Sequence, residues 1–370
     1  GFYSGVVIDQ ETDEVWCLRD HMGKKPLFIG RSQGHTFITS ELKVFDQIEA
    51  FSLVPRGLSR IDLNTAQARL VAEHTPLTSR GELVTLFERA VEKRLPAPDQ
   101  PVGVFLSGGL DSSLVAAVVA RHRPDATYFT LGTGDAADRH AVSAVVSALG
   151  LDDVRWVPVP ESDKIPALIR AVVYATESFN PSIISNGLGT YLLAQATHQA
   201  GIKVVLGGEG ADELFGGYHR FKSIDEPWRE VRSRLINDMQ TTELRRLDLS
   251  AMAHSVEVRC PFLDRSLRAY SDALEFSDMY SAETNKVLLR RSFHALLPLE
   301  VLERPKTSLD VGSGVRGAVV RHLRHHGRSE REELRQIWRS LFSFRDTDPY
   351  FSAYPVFDRA IDRRGEAHRQ

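Results

Sequence analysis

A short apolar run of strand length, Val102 to Phe105, passes directly into Leu106-Ser107-Gly108-Gly109-Leu110-Asp111-Ser112-Ser113 and then into an Ala/Val-rich stretch, Leu114 to Ala120. That order demands a buried strand, a tight turn and a buried helix, the repeating unit of a parallel sheet covered by helices. The turn also carries chemistry. Glycines 108 and 109 let backbone N–H groups approach an anion with no Cβ in the way, and Ser107, Ser112 and Ser113 add hydroxyls at the helix N-terminus. A nucleotide phosphate or pyrophosphate suits such a turn. Asp111 would repel it unless a divalent cation lay between, so Mg²⁺ is expected beside this residue. The chain has no G-x-x-x-x-G-K-[ST], which excludes the Walker-type loop. For the octapeptide alone, an ordinary serine-capped strand–helix turn is the plain alternative.

About a hundred residues on, Ile202 to Leu206 reads as a second buried strand, followed by Gly207-Gly208-Glu209-Gly210-Ala211-Asp212-Glu213-Leu214-Phe215-Gly216-Gly217-Tyr218. Three acids among five glycines indicate backbone held close to a ligand, where a solvated loop would need no such glycines. In an open α/β sheet both loops leave the carboxyl ends of strands, where ligands bind. Asp111 and Asp212 could then share Mg²⁺, and Glu209 could orient or deprotonate a reactant. Strands near 102–106, 127–131, 154–159 and 202–206 alternate with helices near 112–122, 137–149, 163–176 and 187–200. This alternation predicts an α/β fold, a parallel sheet with helices on both faces. The chain after Tyr218 reads as largely helical.

SGGLDSS, GGEGADELFGGY, the stretch Ser250 to Asp264 (SAMAHSVEVRCPFLD) and Arg304-Pro305-Lys306 together resemble the asparagine synthetase family. These are glutamine-dependent ligases with a pyrophosphatase-type (PP-loop) ATP site, built like adenine nucleotide α-hydrolases. Upstream, Arg19-Asp20-His21-Met22-Gly23-Lys24-Lys25-Pro26-Leu27-Phe28 and Ser40-Glu41-Leu42-Lys43 resemble the back half of that family's antiparallel β glutaminase (Ntn) domain. The resemblance covers nearly the whole chain, in the family's order. It implies ATP and Mg²⁺ as cofactors, a small carboxylate such as aspartate, and glutamine, ammonia or another amine as nitrogen donor. A carboxylate would attack the α-phosphate, pyrophosphate would leave, and an amine would displace AMP to give an amide.

The resemblance also implies roles. Leu106, Ser107, Gly108, Gly109, Asp111, Ser112 and Gly208 would hold ATP, with Thr130, Leu131 and Gly132 around the adenine. Lys306 matches the cation that faces the α-phosphate, with Arg259 as a further candidate. Asp111 and Asp212 would hold the metal, and Glu209 would take the proton from the amine. Glu177, Asp212, Glu213 and Arg259 are candidates for substrate contact, although Glu177 reads equally well as a helix-surface carboxylate. Lys286, four residues before Arg290, could approach phosphate or simply be solvated. Ring closure within one substrate, as in β-lactam synthetases and lasso-peptide cyclases, is a second reading. A regulatory protein that only binds ATP is a third, weakened by the presence of Asp111, Glu209, Asp212 and Lys306 together.

Two domains are expected, a partial glutaminase-like unit over residues 1–75 and a synthetase unit over residues 76–370. Short alternating segments such as Ser4–Ile8 and Glu14–Leu18 mark the first as antiparallel β, with a turn at Pro55-Arg56-Gly57. Family glutaminases start with a nucleophilic cysteine, whereas this sequence starts at Gly1. Either a front stretch precedes Gly1 in the natural protein or the glutaminase half is degenerate. Cys17 and Cys260 read as buried hydrophobes. A net charge of −3 leaves no nucleic-acid footprint, and no apolar run reaches membrane-spanning length, so the expected location is cytoplasmic. The sequence leaves monomer and homodimer open. The 13 histidines lack metal-ligand spacing, and His322, His325 and His326 lie in an arginine-rich polar stretch. A stripe of Leu334, Ile337, Trp338 and Leu341 predicts a C-terminal helix docked on the core. Tyr218 to Glu230 and Lys306 to Gly317 read as flexible covers, and the tail from Arg359 as charged and loose.

Overall fold

The computed structural model describes residues 1–77, 81–132, 136, 138–218, 227–324 and 328–352. The tail from Arg359, His325 and His326, and most of the 218–230 cover lie outside the described residues.

Seven strands form the N-terminal unit: β1 (Ser4–Asp9), β2 (Glu14–Arg19), β3 (Phe28–Ser32), β4 (His35–Thr39), β5 (Ala50–Leu53), β6 (Gly57–Asp62) and β7 (Gln67–Ala72). They pair antiparallel in two sheets, of order β1-β2-β6-β7 and β4-β3-β5. Period-2 alternation is visible in β2, where Val15, Cys17 and Arg19 are buried and the residues between them are half exposed. Pro55-Arg56-Gly57 makes the turn from β5 to β6, as its residue types predict.

The second unit alternates strand and helix. α1 (Leu83–Glu92) leads to β8 (Val102–Phe105), α2 (Leu110–His122), β9 (Thr127–Leu131), α3 (Arg139–Leu149), β10 (Val154–Val157), α4 (Ile165–Thr176), α5 (Pro181–Gln199) and β11 (Val204–Leu206). Then follow α6 (Ala211–Phe215), α7 (Trp228–Asp238), α8 (Glu243–Met252), β12 (Glu257–Arg259) and α9 (Arg265–Asp272). The five strands pair parallel in the order β10-β9-β8-β11-β12. The β8, β9 and β11 strands are buried on both faces, as continuous Val/Leu/Phe runs require in a sheet covered by helices. β12 is a strand that the expectation of a largely helical C-terminal part did not include. Its three residues extend the sheet beside β11, with Val258 buried and its two neighbours half exposed.

Strand order reverses between β8 and β11. Chain connections diverge there, opening a crevice at the carboxyl ends of the two strands, and both glycine loops issue from those ends. Lys306 to Gly317, expected as a loop, contains two helical segments, Leu309–Gly312 and the start of Val315–Leu323. Gly312-Ser313-Gly314-Val315-Arg316-Gly317 has the spacing of a dinucleotide fingerprint, but it joins these two helices with no strand before it, so it builds no phosphate turn of that type. In the C-terminal helix Glu330–Arg339, Leu334 and Trp338 are buried, and the Trp338 indole N–H donates to the Glu177 carbonyl at 3.0 Å. No helix among the described residues is long and apolar enough to cross a membrane.

Candidate active site

The turn after β8 closes through Gly108, whose φ is +69° and whose absent Cβ would lie 2.7 Å from the Val142 nitrogen of α3. Only glycine allows both the left-handed turn and that approach. The Ser107 N–H donates to Ser112 Oγ at 3.1 Å, and Ser112 Oγ donates to the Gly109 carbonyl at 3.1 Å. Gly109 stands at the cap position before α2, so no side chain caps the helix. Its first-turn N–H groups are therefore left for an anion in the adjoining cavity. Gly208 brings the second loop against the first: a Cβ there would sit 2.8 Å from the Ser112 nitrogen and 2.9 Å from Asp111.

The charges meet at this contact. Lys286 Nζ lies 2.6 Å from Asp111 Oδ2 and 2.5 Å from Asp212 Oδ1, and Lys306 Nζ lies 2.5 Å from Asp212 Oδ2. Burial opposes ionisation of Asp212, but the two ammonium groups outweigh it and hold the carboxyl well below the usual range. Burial likewise works against charge on Lys306, and Asp212 and Asp111 override it, raising the ammonium above its ordinary value. Arg304 pairs with Asp138, and its Nη1 reaches the Ser107 carbonyl at 3.4 Å. Lys286 stands at φ +53°, ahead of a helix whose Arg290 donates to the Asn285 carbonyl and side chain at 2.7 and 2.9 Å. Arg290 thus anchors the segment that presents Lys286.

Farther along the second loop, Glu209 Oε1 lies 3.4 Å from Arg246 Nη2, and Arg246 Nη1 donates to Thr190 Oγ1 at 3.2 Å. The buried Glu213 accepts from the Tyr218 hydroxyl at 2.5 Å. Burial, followed by the charges of Glu243 and Asp212, pushes its carboxyl up to about 8. A raised carboxyl binds a proton in the folded state that the unfolded chain has released, so this group removes stability as pH rises from about 4.5 to about 8. Glu213→Gln is expected to lose that slope: the difference in urea midpoint between pH 5.5 and pH 8 should be smaller in the variant. An unchanged difference would contradict the assignment.

Asp111, Glu209, Asp212, Glu213, Lys286 and Lys306 line one cavity of about 1180 Å³, together with Leu106, Ser107, Gly109, Ser112 and Gly208. Thr130, Leu131 and Gly132 lie at the end of β9 beside it but do not line it; Thr130 and Leu131 are buried in the sheet. Two substrate-contact candidates are placed elsewhere. Glu177, fully buried, accepts the Lys43 N–H at 2.7 Å, so it ties the N-terminal unit to the end of α4. Burial pushes its carboxyl up, against Arg245 and Lys43. Arg259 gives its fork to Glu257 at 3.0 and 3.2 Å and to the Arg94 carbonyl at 2.9 Å, away from the cavity. Arg246 and Asp138 carry no sequence signal, each being a lone charge on or beside a helix with no local pattern to separate it from a solvated one, and Arg304 stands in the Arg304-Pro305-Lys306 motif without a role of its own being legible there. Both cysteines are buried, and burial pushes the Cys17 thiol up to about 11 and Cys260 up to about 12.

Two glycine loops flanking the switch point of a parallel sheet, with paired lysines and aspartates between them, define an α/β protein with a charged crevice at the carboxyl ends of its strands. The asparagine synthase family model matches residues 82–235 and 223–342, and a glutamine amidotransferase domain model matches residues 1–47. The chain is 31% identical over 344 residues to a glutamine-hydrolysing asparagine synthetase of Triphysaria versicolor and 32% identical over 343 residues to asparagine synthetase 1 of Arabidopsis thaliana. It is 28% identical over 346 residues to asparagine synthetase B of Escherichia coli strain K12. Each alignment covers 85% of this chain, and 58%, 58% and 61% of the respective relative. The chain belongs to the asparagine synthase family. It spans about three fifths of the length of these relatives.

Proposed function

We propose that this chain carries the synthetase site of an ATP-dependent carbon–nitrogen ligase. It joins a carboxylate to ammonia, drawn from glutamine, or to another amine. The observation that carries the reading is the pair of lysines bracketing Asp111 and Asp212 where the two glycine loops touch. In the first half-reaction a substrate carboxylate oxygen attacks the α-phosphorus of ATP and pyrophosphate leaves with the broken bond's electrons. Negative charge builds on phosphate oxygens, and Lys306 and Lys286 are placed to offset it. In the second, the amine attacks the acyl carbon, gives up a proton and expels AMP. Glu209 is the proposed proton acceptor.

The donor set suits Mg²⁺. Asp111 and Asp212 already converge on one cation, the Lys286 ammonium, and no group of three or more Asp, Glu, His or Cys able to hold a metal occurs among the described residues. Two carboxylates with phosphate and water oxygens for the remainder are the usual terms for Mg²⁺. Bound there, Mg²⁺ would neutralise phosphate charge.

The test is pyrophosphate release from ATP and Mg²⁺ with a panel of carboxylates, each run with glutamine, with ammonium and with neither. Carboxylate-dependent release supports the reading, whereas silence across aspartate and its relatives sinks the aspartate-like assignment. Ring closure within a substrate that carries its own amine is the alternative inside the same two-step chemistry. Release that needs no added amine would select it. Glu209→Gln is expected to leave pyrophosphate release within about tenfold of wild type while slowing amide formation about 10²–10⁴-fold. Equal loss in both steps would remove Glu209 as the base.

A further inference from the structure

A second cavity, of about 570 Å³, lies where the N-terminal unit meets α7 and α9, and no residue lines both it and the cavity described above. Arg56, from the β5–β6 turn, faces it beside Arg265 and Arg268 of α9. Their hydrogen-bond partners are mostly neutral. Arg56 Nη2 donates to Asn237 Oδ1 at 2.7 Å and Arg265 Nη2 to the Thr75 carbonyl at 2.6 Å. Arg268 does have a carboxylate, Asp272 at 2.9 Å, but that carboxylate also serves Arg232 at 3.3 Å. Three guanidinium groups on the cavity wall thus stand against two carboxylates, Asp272 and Glu73. Burial, and after it the nearby Arg268, makes the charged form of Arg56 harder to hold, against the smaller opposing pull of Asp20 and Glu73. His21, on the same wall, adds no charge at neutral pH, since burial pushes it down to about 4.

We infer that this junction cavity binds a small polyvalent oxyanion, phosphate- or carboxylate-bearing, clamped between Arg56 of the N-terminal unit and Arg265 and Arg268 of the synthetase unit. Guanidinium forks match the oxygens of such groups in pairs, and a multivalent anion reaches both sides of the cleft at once. Occupancy joins the two units and stabilises the folded chain by an amount that rises with the logarithm of ligand concentration once the site is saturated. The inference is independent of the reaction proposed above.

Calorimetric titration without Mg²⁺ tests it, with sodium pyrophosphate and tricarballylate as the phosphate and carboxylate probes. Lys306→Ala serves as the background, to weaken phosphate binding in the larger cavity. One site is expected for at least one probe, weakened about tenfold or more by Arg56→Gln with Arg265→Gln and retained in part by Arg56→Lys. Higher salt should weaken it further. The responding probe tells which source the site prefers. Should the double variant fail to fold by circular dichroism, Arg265→Gln alone carries the comparison, because that contact lies at the surface. Absence of binding for both probes at millimolar concentration, or affinity unchanged by the arginine substitutions, overturns the inference.

Discussion

Lys306→Ala is expected to lower the rate of pyrophosphate release by about 10²–10³-fold, the loss typical of one charge-stabilising group at a reacting centre. The fold should survive. Lys306 is partly exposed, and Asp212 keeps Lys286 at 2.5 Å when Lys306 is gone. Lys286→Ala should differ in kind. Its ammonium is buried and is the only cation within ion-pair distance of both Asp111 and Asp212 among the described residues, so its removal leaves two carboxylates facing each other where the loops touch. That variant should lose both pyrophosphate release and thermal stability. Stopped assays of pyrophosphate with thermal melts on the same preparations separate the two. Wild-type turnover in Lys306→Ala would place the reacting phosphate elsewhere.

Asp248→Ala is expected to destabilise the chain by about 3–5 kcal/mol, the range for removing one partner of a buried pair. Asp248 takes Lys24 Nζ at 2.5 Å and Lys25 Nζ at 2.7 Å, and the Lys24 side chain is wholly buried. Burial opposes the charge on Asp248, but the two lysines prevail and hold its pKa below the ordinary value. Its contribution is therefore complete above the unfolded carboxyl's value, near 3.8, and is lost as pH falls through the lower folded value. Asp248→Asn should show a shallower acid limb than wild type in urea titrations between pH 5 and pH 2. Replacing both partners, Asp248→Leu with Lys24→Met, should recover much of the loss. If the single and double variants lose equal stability, the buried pair is not what α8 supplies to the joint.

Strands β8, β9 and β11 were legible because apolar runs between turn residues leave little choice of partner face. β12 was not: Glu257-Val258-Arg259 is too short for its alternation to stand out, and its pairing with β11 is a tertiary fact. The same three residues explain Arg259. Positions two apart on a strand share a face, so Glu257 takes the guanidinium before any ligand could. Asp111, Glu209, Asp212 and Lys306 could be placed because glycines around the acids, and the family order around Lys306, mark them. Glu177 could not, since the N–H that claims it belongs to Lys43, 134 residues away. Lys286 was visible as a cation of uncertain use, and its left-handed backbone, which aims it between the aspartates, has no signature in Thr284-Asn285-Lys286.

Family models match residues 1–47 and 82–342 separately, but one apolar core runs through both parts. Met22, Phe28, Phe37 and Leu42 of the β unit belong to one apolar core with Phe87, Val104, Trp338 and Phe351, and the Phe28 ring meets the Tyr350 ring edge-on at 4.9 Å. Two modules by ancestry thus share one apolar core. A fragment starting at residue 76 would bare an oily seam wherever the β unit now sits, and should aggregate when expressed alone. Whoever transplants this synthetase half onto another donor must carry the strip of β unit with it.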